Sequence, residues 1–320
     1  MMIQASPEYR MNPEDLYRLY AKNNDGNVVP YSNFMAETTA AASEAATEAA
    51  ESTEAAESSA EKTKAAAEIE TVTSGKLTVA TSPDFAPYEF YAIGEDGTPK
   101  LSGFDMDLAQ YIADYLGLEL EVVTVDFDGV LSELQTKSVD IGMAGLSPDE
   151  KRMGIMDFSD IYYTGGQSLV TVKDNAETYN SFEAINKPEV SVGAQIGSIQ
   201  MDLANENSPE ADIVGLPKVT DIISELLTGK MDAAYIETDV AKSYQQNYPE
   251  LAIVMDVPYD TEGSAIGVCK GNEALLAGVN EAIAAAKEDG SLEKFIADAG
   301  ELAAGEKYEG LLDAEGNVQN

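Results

Sequence analysis

Leu134-Gln-Thr-Lys-Ser-Val-Asp140 and Leu226-Leu-Thr-Gly-Lys-Met-Asp232 are two versions of one short pattern: the end of an apolar helical stripe, a turn, and an aspartate at the edge of a strand. The equal spacing of helix end, turn and strand start says that the same α/β unit occurs twice. Working outward from the first copy, Leu77-Thr-Val-Ala-Thr81 alternates as a strand. Leu108, Tyr111, Ile112, Tyr115 and Leu116 then recur at helical spacing, and Leu118-Glu-Leu-Glu-Val-Val123 is a second strand. A helix through Leu131 and Leu134 leads to a strand over Ile141 to Ala144. Around the second copy, Val190-Ser-Val-Gly-Ala194 is a strand and Ile222, Ile223, Leu226 and Leu227 stripe a helix, followed by the strand Met231-Asp-Ala-Ala-Tyr-Ile236. Strands and helices alternating at these lengths predict βαβ units with right-handed crossovers, hence two similar α/β lobes. Ligands of such sheets collect beyond the carboxyl ends of the strands, which points to Gly145-Leu-Ser147 and Glu237-Thr-Asp239.

Composition removes several function classes. The chain has 320 residues, 44% of them hydrophobic, enough for real cores. It carries 58 acidic against 19 basic side chains, a formal charge of −39. That surface repels phosphate backbones and anionic headgroups, so nucleic acid and membrane surfaces are not expected partners. There is no histidine, which excludes a Ser-His-Asp triad and a histidine-ligated metal. The one cysteine, Cys269, ends the apolar run Ser264-Ala-Ile-Gly-Val-Cys269 and is expected to be a buried thiol rather than a nucleophile. No run approaches the roughly 18 apolar residues of a membrane span. The start, Met1-Met-Ile-Gln-Ala-Ser-Pro-Glu-Tyr-Arg10, turns polar at once and is not a signal peptide.

Two segments precede the globular part. Residues 1–35 contain a helix start at Met11-Asn-Pro-Glu-Asp15 and a turn at Asn24-Asp-Gly26. Through Tyr9-Arg-Met-Asn-Pro-Glu-Asp-Leu16 and Asp25-Gly-Asn-Val-Val-Pro-Tyr-Ser-Asn-Phe34 this piece resembles a periplasmic fragment of resistance-nodulation-division efflux pumps. It is expected to be the foreign part of a chimera with no function of its own. Residues 36–74 are almost wholly Ala, Glu, Ser and Thr, with Glu44, Glu48, Glu51, Glu54, Glu57 and Glu61 spaced so that like charges repel on one helical face. A tether follows, not a coiled coil.

A zwitterion needs a cation and backbone donors for its carboxylate, an anion for its ammonium, and walls for its side chain. Arg152 is the only arginine after Arg18, and a planar fork that grips a carboxylate with two N–H groups is not replaceable by lysine. The other reading is a surface arginine saturated by its neighbours in Pro148-Asp-Glu-Lys-Arg152, and residue type alone does not choose. Gln195-Ile-Gly-Ser-Ile-Gln200 leaves a strand and opens a helix, which makes an anion site or an ordinary turn capped by Ser198. Glu237 ends an apolar strand and either meets an ammonium or is a solvated helix-start glutamate. Phe85 and Phe127 either clamp a ligand between ring faces or are simply core.

With those residues in place, the chain resembles the family 3 extracellular solute-binding proteins, receptors of polar amino-acid ABC importers, from about Lys76 to Gly300. The likeness lies in Val79-Ala-Thr-Ser-Pro-Asp-Phe-Ala-Pro-Tyr-Glu-Phe90, Gly103-Phe-Asp-Met-Asp-Leu108, Asp140-Ile-Gly-Met-Ala-Gly-Leu-Ser147, Arg152, Asp157-Phe-Ser-Asp160, Gly229-Lys-Met-Asp-Ala233 and Asp289-Gly290. The resemblance implies a two-lobed type II periplasmic-binding-protein-like α/β fold, each lobe a mixed sheet flanked by helices. One lobe covers residues 75–161 and 265–305, the other 167–259, with crossovers at 162–166 and 260–264 and a tail at 306–320. It also implies that Arg152, Ser147 and the turn at Ser198 and Ile199 take the ligand carboxylate. The Gly145 carbonyl and Glu237 would take the ammonium, and Phe85 and Phe127 would wall the side chain. Gln195 stands at a variable pocket position, and Ser82 replaces an acid found in receptors for cationic ligands, with Asp84 near enough to stand in. The family has aspartate where Glu237 stands. The implied function is amino-acid binding by cleft closure, without catalysis, cofactor or metal, by a monomeric receptor that delivers to a cognate permease. An enzyme of cyclohexadienyl dehydratase type on the same fold, or a sensor module, is the alternative. The expected location is extracytoplasmic and lipid-tethered, with the export signal and the acylated cysteine lost from this chain.

Overall fold

A computed structural model describes residues 20–22, 28–30, 69–93, 97–260 and 263–304. The chain divides into two units, Met1–Glu61 and Lys62–Asn320. In the first unit, β1 (Tyr20–Lys22) and β2 (Val28–Pro30) pair antiparallel, with Tyr20 opposite Pro30. The expected helix start at Met11, the Asn24 turn, most of the tether and the tail lie outside the described residues.

The second unit carries two five-stranded mixed sheets built to the same plan. The first uses β3 (Lys76–Thr81), β7 (Glu119–Thr124), β8 (Ile141–Gly142), β9 (Met156–Phe158) and β15 (Gly267–Cys269), in the order β7-β3-β8-β15-β9. The second uses β10 (Gln167–Val172), β11 (Ser191–Gln195), β12 (Asp212–Leu216), β13 (Ala233–Glu237) and β14 (Leu251–Asp256), in the order β12-β11-β13-β10-β14. In each, the first three strands of the order run parallel and the fourth is antiparallel to both its neighbours. A small antiparallel sheet of β4 (Asp84–Phe85), β5 (Glu89–Ile93) and β6 (Pro99–Ser102) was not anticipated.

The helices follow from their stripes. In α1 (Phe104–Leu116), Leu108, Ile112 and Leu116 are buried while Tyr111 and Tyr115 sit half-buried at the edge. Each fully buried Leu or Ile contributes roughly 2 kcal/mol of transfer free energy. Helix α2 (Phe127–Thr136) ends on Lys137 with φ 56°, and α5 (Val219–Thr228) ends on Gly229 with φ 71°. These are the two turns of the repeated pattern, each closed by a left-handed C-cap. The remaining helices are α3 (Phe182–Ile185), α4 (Ile199–Asn207), α6 (Thr238–Asn247), α7 (Glu273–Glu288) and α8 (Ser291–Ala303). The strand expected over Ile141 to Ala144 is only Ile141–Gly142, and the chain turns three residues later at Gly145, with φ 56°.

The linker expected over residues 36–74 does not extend to residue 74. Ile69 packs against the core, the Val72 N–H donates to Asp140 Oδ1 at 2.7 Å, and Asn272 Nδ2 donates to the Glu70 carbonyl at 2.9 Å. Residues 69–74 therefore belong to the fold. Cys269 is buried, and its thiol donates to the Val139 carbonyl at 2.8 Å.

Two crossovers join the sheets. Tyr163 and Ser264 form an antiparallel bridge between them, with Ser264 N donating to the Tyr163 carbonyl at 2.8 Å and Tyr162 N to the Ser264 carbonyl at 3.0 Å. Gly263 has φ 108°, and a Cβ there would collide with the Tyr163 carbonyl. The glycines at 165 and 166 answer to close approach instead: a Cβ on Gly166 would stand 2.7 Å from Thr238 Oγ1, and one on Gly165 would collide with Glu237 Oε1.

Candidate functional site

Every candidate residue stands at the carboxyl end of a parallel strand or in the segment that follows it. Ser82 to Phe85 follow β3, Phe127 follows β7, and Gly145, Ser147 and Arg152 follow β8. From the second lobe, Gln195 ends β11 and leads to Ser198 and Ile199, and Glu237 ends β13. Where parallel strands stop, backbone and side chains from several loops converge, and the sheet behind them supplies a rigid base.

Arg152 opens a single 3-10 turn and is only 7% exposed. Its Nε–H pairs with Asp149 Oδ2 at 3.1 Å, Nη1 donates to the Ser147 carbonyl at 2.9 Å, and Nη2 donates to the Gly197 carbonyl of the second lobe at 3.0 Å. Its guanidinium carbon lies 5.6 Å from the centre of the Phe127 ring. A guanidinium has five N–H groups, so these bonds leave one on each terminal nitrogen without a described protein acceptor. An acidic neighbour does engage Arg152, as the surface reading required, but the residue is buried at the seam rather than solvated. Burial also pulls its pKa down, and Asp149 and Asp202 oppose that shift.

On the other side of the seam, Ser198 caps α4. Its Oγ accepts from Met201 N at 3.2 Å and donates to the Gln195 carbonyl at 2.7 Å, with Ile199 as the first helical residue. Gly197, just before it, faces Asp128 of α2: a Cβ there would lie 3.4 Å from the Asp128 Cβ. Nearby, exposed Lys151 and Asp202 form an ion pair across the seam at 2.9 Å.

Glu237 is a helix-start glutamate, but a buried one. Oε2 accepts from Asp239 N at 2.7 Å and Val240 N at 2.8 Å, capping α6, and Oε1 accepts from Gly166 N at 3.2 Å. Burial pushes its pKa up to about 7, against the backbone N–H groups that favour the charged form.

Phe85 and Tyr88 have ring centroids 5.3 Å apart, and Tyr88 in turn packs edge-on to Tyr163 of the crossover at 5.4 Å. A Cβ on Gly145 would approach Phe85 Cε1 to 2.8 Å, so this position is held open by the ring beside it. The Gly145 N–H donates to Asp105 Oδ2 at 3.3 Å, and Asp105 Oδ1 accepts from the Tyr162 hydroxyl at 2.7 Å. Asp105 thus ties the loop after β8 to the first crossover. Its motif was visible in Gly103-Phe-Asp-Met-Asp-Leu108, but nothing local told which carboxylate faces inward.

Asp84 is not free to stand in for the acid missing at Ser82. Ser82 Oγ donates to Asp84 Oδ1 at 2.8 Å, while Oδ2 accepts from the Val219 N–H and, at 3.3 Å, from Gln195 Nε2. Gln195 also donates to the Pro217 carbonyl at 3.1 Å. All three side chains are buried.

Comparison with known proteins gives the family. Residues 77–298 match the model of the bacterial extracellular solute-binding proteins, family 3. The arginine-binding extracellular protein ArtP of Bacillus subtilis is 34% identical over 224 residues, covering 69% of this chain and 84% of ArtP. The amino acid ABC transporter substrate-binding protein AbpA of Streptococcus pneumoniae, solved with L-arginine, superposes with a TM-score of 0.69 at 36% identity, covering 72% of this chain and 97% of AbpA. Cyclohexadienyl dehydratase of Pseudomonas aeruginosa is more distant, 29% identical over 188 residues, 58% of this chain and 69% of the enzyme. Two lobes of matched topology, candidate residues at the ends of their parallel strands and a family match across both identify the chain as a member of the bacterial extracellular solute-binding proteins, family 3.

Proposed function

We propose that this protein is the receptor of an ABC importer and closes on one cationic amino acid, L-arginine first. The observation that carries the reading is Arg152, buried in one lobe, bonded to the other through the Gly197 carbonyl, and holding two N–H groups in reserve. Those two donors suit a carboxylate gripped bidentately, helped by Ser147 and the turn at Ser198 and Ile199. Glu237 and the Gly145 carbonyl receive the ammonium. Phe85 and Phe127 stack on the guanidinium of the side chain, with Gln195 and Ser82 at its far end. The charge of −39 raises the local concentration of cations over anions. Arginine is favoured by what ArtP and AbpA bind.

Closure follows from linkage: the ligand contacts are complete only when both lobes supply them, so binding favours the closed form. The lobes divide at 162–166 and 260–264. The receptor is a monomer that docks on its permease at the cell surface and leaves the ligand chemically unchanged. Residues 1–35, the efflux-pump-like fragment, and the tether take no part in binding.

Calorimetry of the full chain against the twenty amino acids, after unfolding and refolding to strip bound ligand, tests the specificity. Arginine is expected to bind tightest, with the radius of gyration contracting at saturation. Binding confined to acidic or aliphatic amino acids, or binding without contraction, overturns the reading. Turnover of a ligand observed by proton NMR would instead favour an enzyme, with Glu237 as the buried acid.

A further inference from the structure

Three elements of the second lobe converge on one residue of the first. The Asp84 carboxylate takes the N–H of Val219, the first residue of α5, and the side-chain amide of Gln195 at the end of β11. Its own carbonyl accepts from the Tyr244 hydroxyl of α6 at 3.0 Å. Asp84 is 7% exposed, and of the bonds to its carboxylate only the one from Ser82 comes from its own lobe. We propose that Asp84 is the latch of the closed cleft, a positioning residue that slows ligand release whatever the ligand's side chain.

The physical asymmetry lies in what opening does. A carboxylate at the N-terminus of a ten-residue helix meets both an unpaired N–H and the positive end of the dipole. Once the lobes part, water can take over these bonds, so the cross-lobe contact is spent only in the closed form. Removing the carboxylate leaves the Val219 donor buried and unpaired when the cleft is shut, which penalises the closed state alone. Burial raises the Asp84 carboxyl to about 6; the Val219 N–H, Ser82 and Lys218 oppose the shift, and Asp126 adds to it.

This inference rests on the closure reading, and the test separates the two. Release and association rates for L-arginine and L-glutamine are measured on the full chain by stopped-flow tyrosine fluorescence, beside scattering of the wild-type protein. Asp84→Ala is expected to speed release of both ligands by at least about tenfold, while association changes by less than about threefold. Val219→Pro removes the donor from the other side. It places proline at the first helical position, where proline is tolerated, after Lys218 in an extended conformation that suits a following proline. It is expected to speed release in the same way, and the double variant is expected to add little. A wild-type chain that contracts while neither variant releases faster overturns the latch alone. A loss confined to arginine overturns it too, by making Asp84 a contact for the ligand side chain. A wild-type chain that binds without contracting overturns closure, and the latch with it.

Discussion

Asp140 and Asp232 hold equivalent places in the two lobes: each exchanges hydrogen bonds with one residue of the strand beside it. Asp140 N donates to the Thr78 carbonyl at 2.9 Å and its Oδ2 accepts from Thr78 N at 2.8 Å. Asp232 N donates to the Ser191 carbonyl at 3.0 Å and its Oδ2 accepts from Ser191 N at 2.9 Å. The second oxygen is spent differently, Asp140 on Val72 N at 2.7 Å and Asp232 on the Tyr179 hydroxyl at 3.0 Å. Each aspartate is therefore the point where a returning strand is pinned to its parallel neighbour.

Asp140→Ala and Asp232→Ala should each destabilise the fold by about 2–4 kcal/mol, because each deletes two hydrogen bonds and strands a backbone donor, buried at Thr78 and half-buried at Ser191. For a domain of this size that lowers the melting temperature by roughly 4–16 °C. Ligand affinity below the transition should stay near the wild-type value. Calorimetric melting with a parallel binding titration checks both.

Truncation should reveal where the fold begins. A chain starting at Lys62 is expected to keep wild-type affinity and melting temperature. One starting at Gly75 loses the Val72 bond to Asp140, the Glu70 carbonyl that receives Asn272 and the Ile69 packing, a cost of about 2 kcal/mol. Equal melting temperatures for the two chains would show residues 69–74 to be dispensable.

The sequence made this boundary hard to see, since Ile69 and Val72 are two isolated apolar residues at the end of an Ala/Glu/Ser/Thr run and composition there is that of a tether. Parallel strands and their helices were legible because periods of 2 and 3.6 are local properties of the chain. Arg152 was legible because it stands alone among lysines. The Gly197 carbonyl that it meets was not, since a backbone acceptor leaves no mark in residue type. Asp84 and Val219 lie 135 positions apart, and no local pattern links them. For Glu237 the identity was readable but its burial was not, and burial decides its chemistry.

Arg152→Lys should weaken arginine binding roughly a hundredfold or more. A lysine cannot serve Asp149, Ser147 and Gly197 together and still present two parallel N–H groups to a carboxylate. The melting temperature should also fall by a few degrees, because the Ser147 and Gly197 carbonyls and Asp149 lose their partner. Calorimetric titration reads the affinity, and unchanged affinity would remove Arg152 from the site.

Binding should release protons. Glu237 sits at about 7 in the folded protein against an ordinary 4.5, so between those values the fold holds a proton that the unfolded chain has lost. Its contribution to stability is thus full below about pH 4.5 and is lost as pH rises through about 7. A ligand ammonium beside it favours the carboxylate and expels that proton. Titrations at pH 6.5 and 8 in buffers of different ionisation enthalpy should show a release that is larger at the lower pH and absent in Glu237→Gln. Net proton uptake would contradict the ammonium assignment.

Cys269 is the chain's one thiol, buried and committed to the Val139 carbonyl, with burial holding its pKa above the ordinary value. Thiol-directed dyes attack exposed thiolates, so the native protein should stay nearly dark to maleimide under mild conditions. A cysteine introduced on the outer surface of each lobe would then carry a fluorophore pair without first engineering the background away. Opening and shutting of the cleft could be timed one molecule at a time.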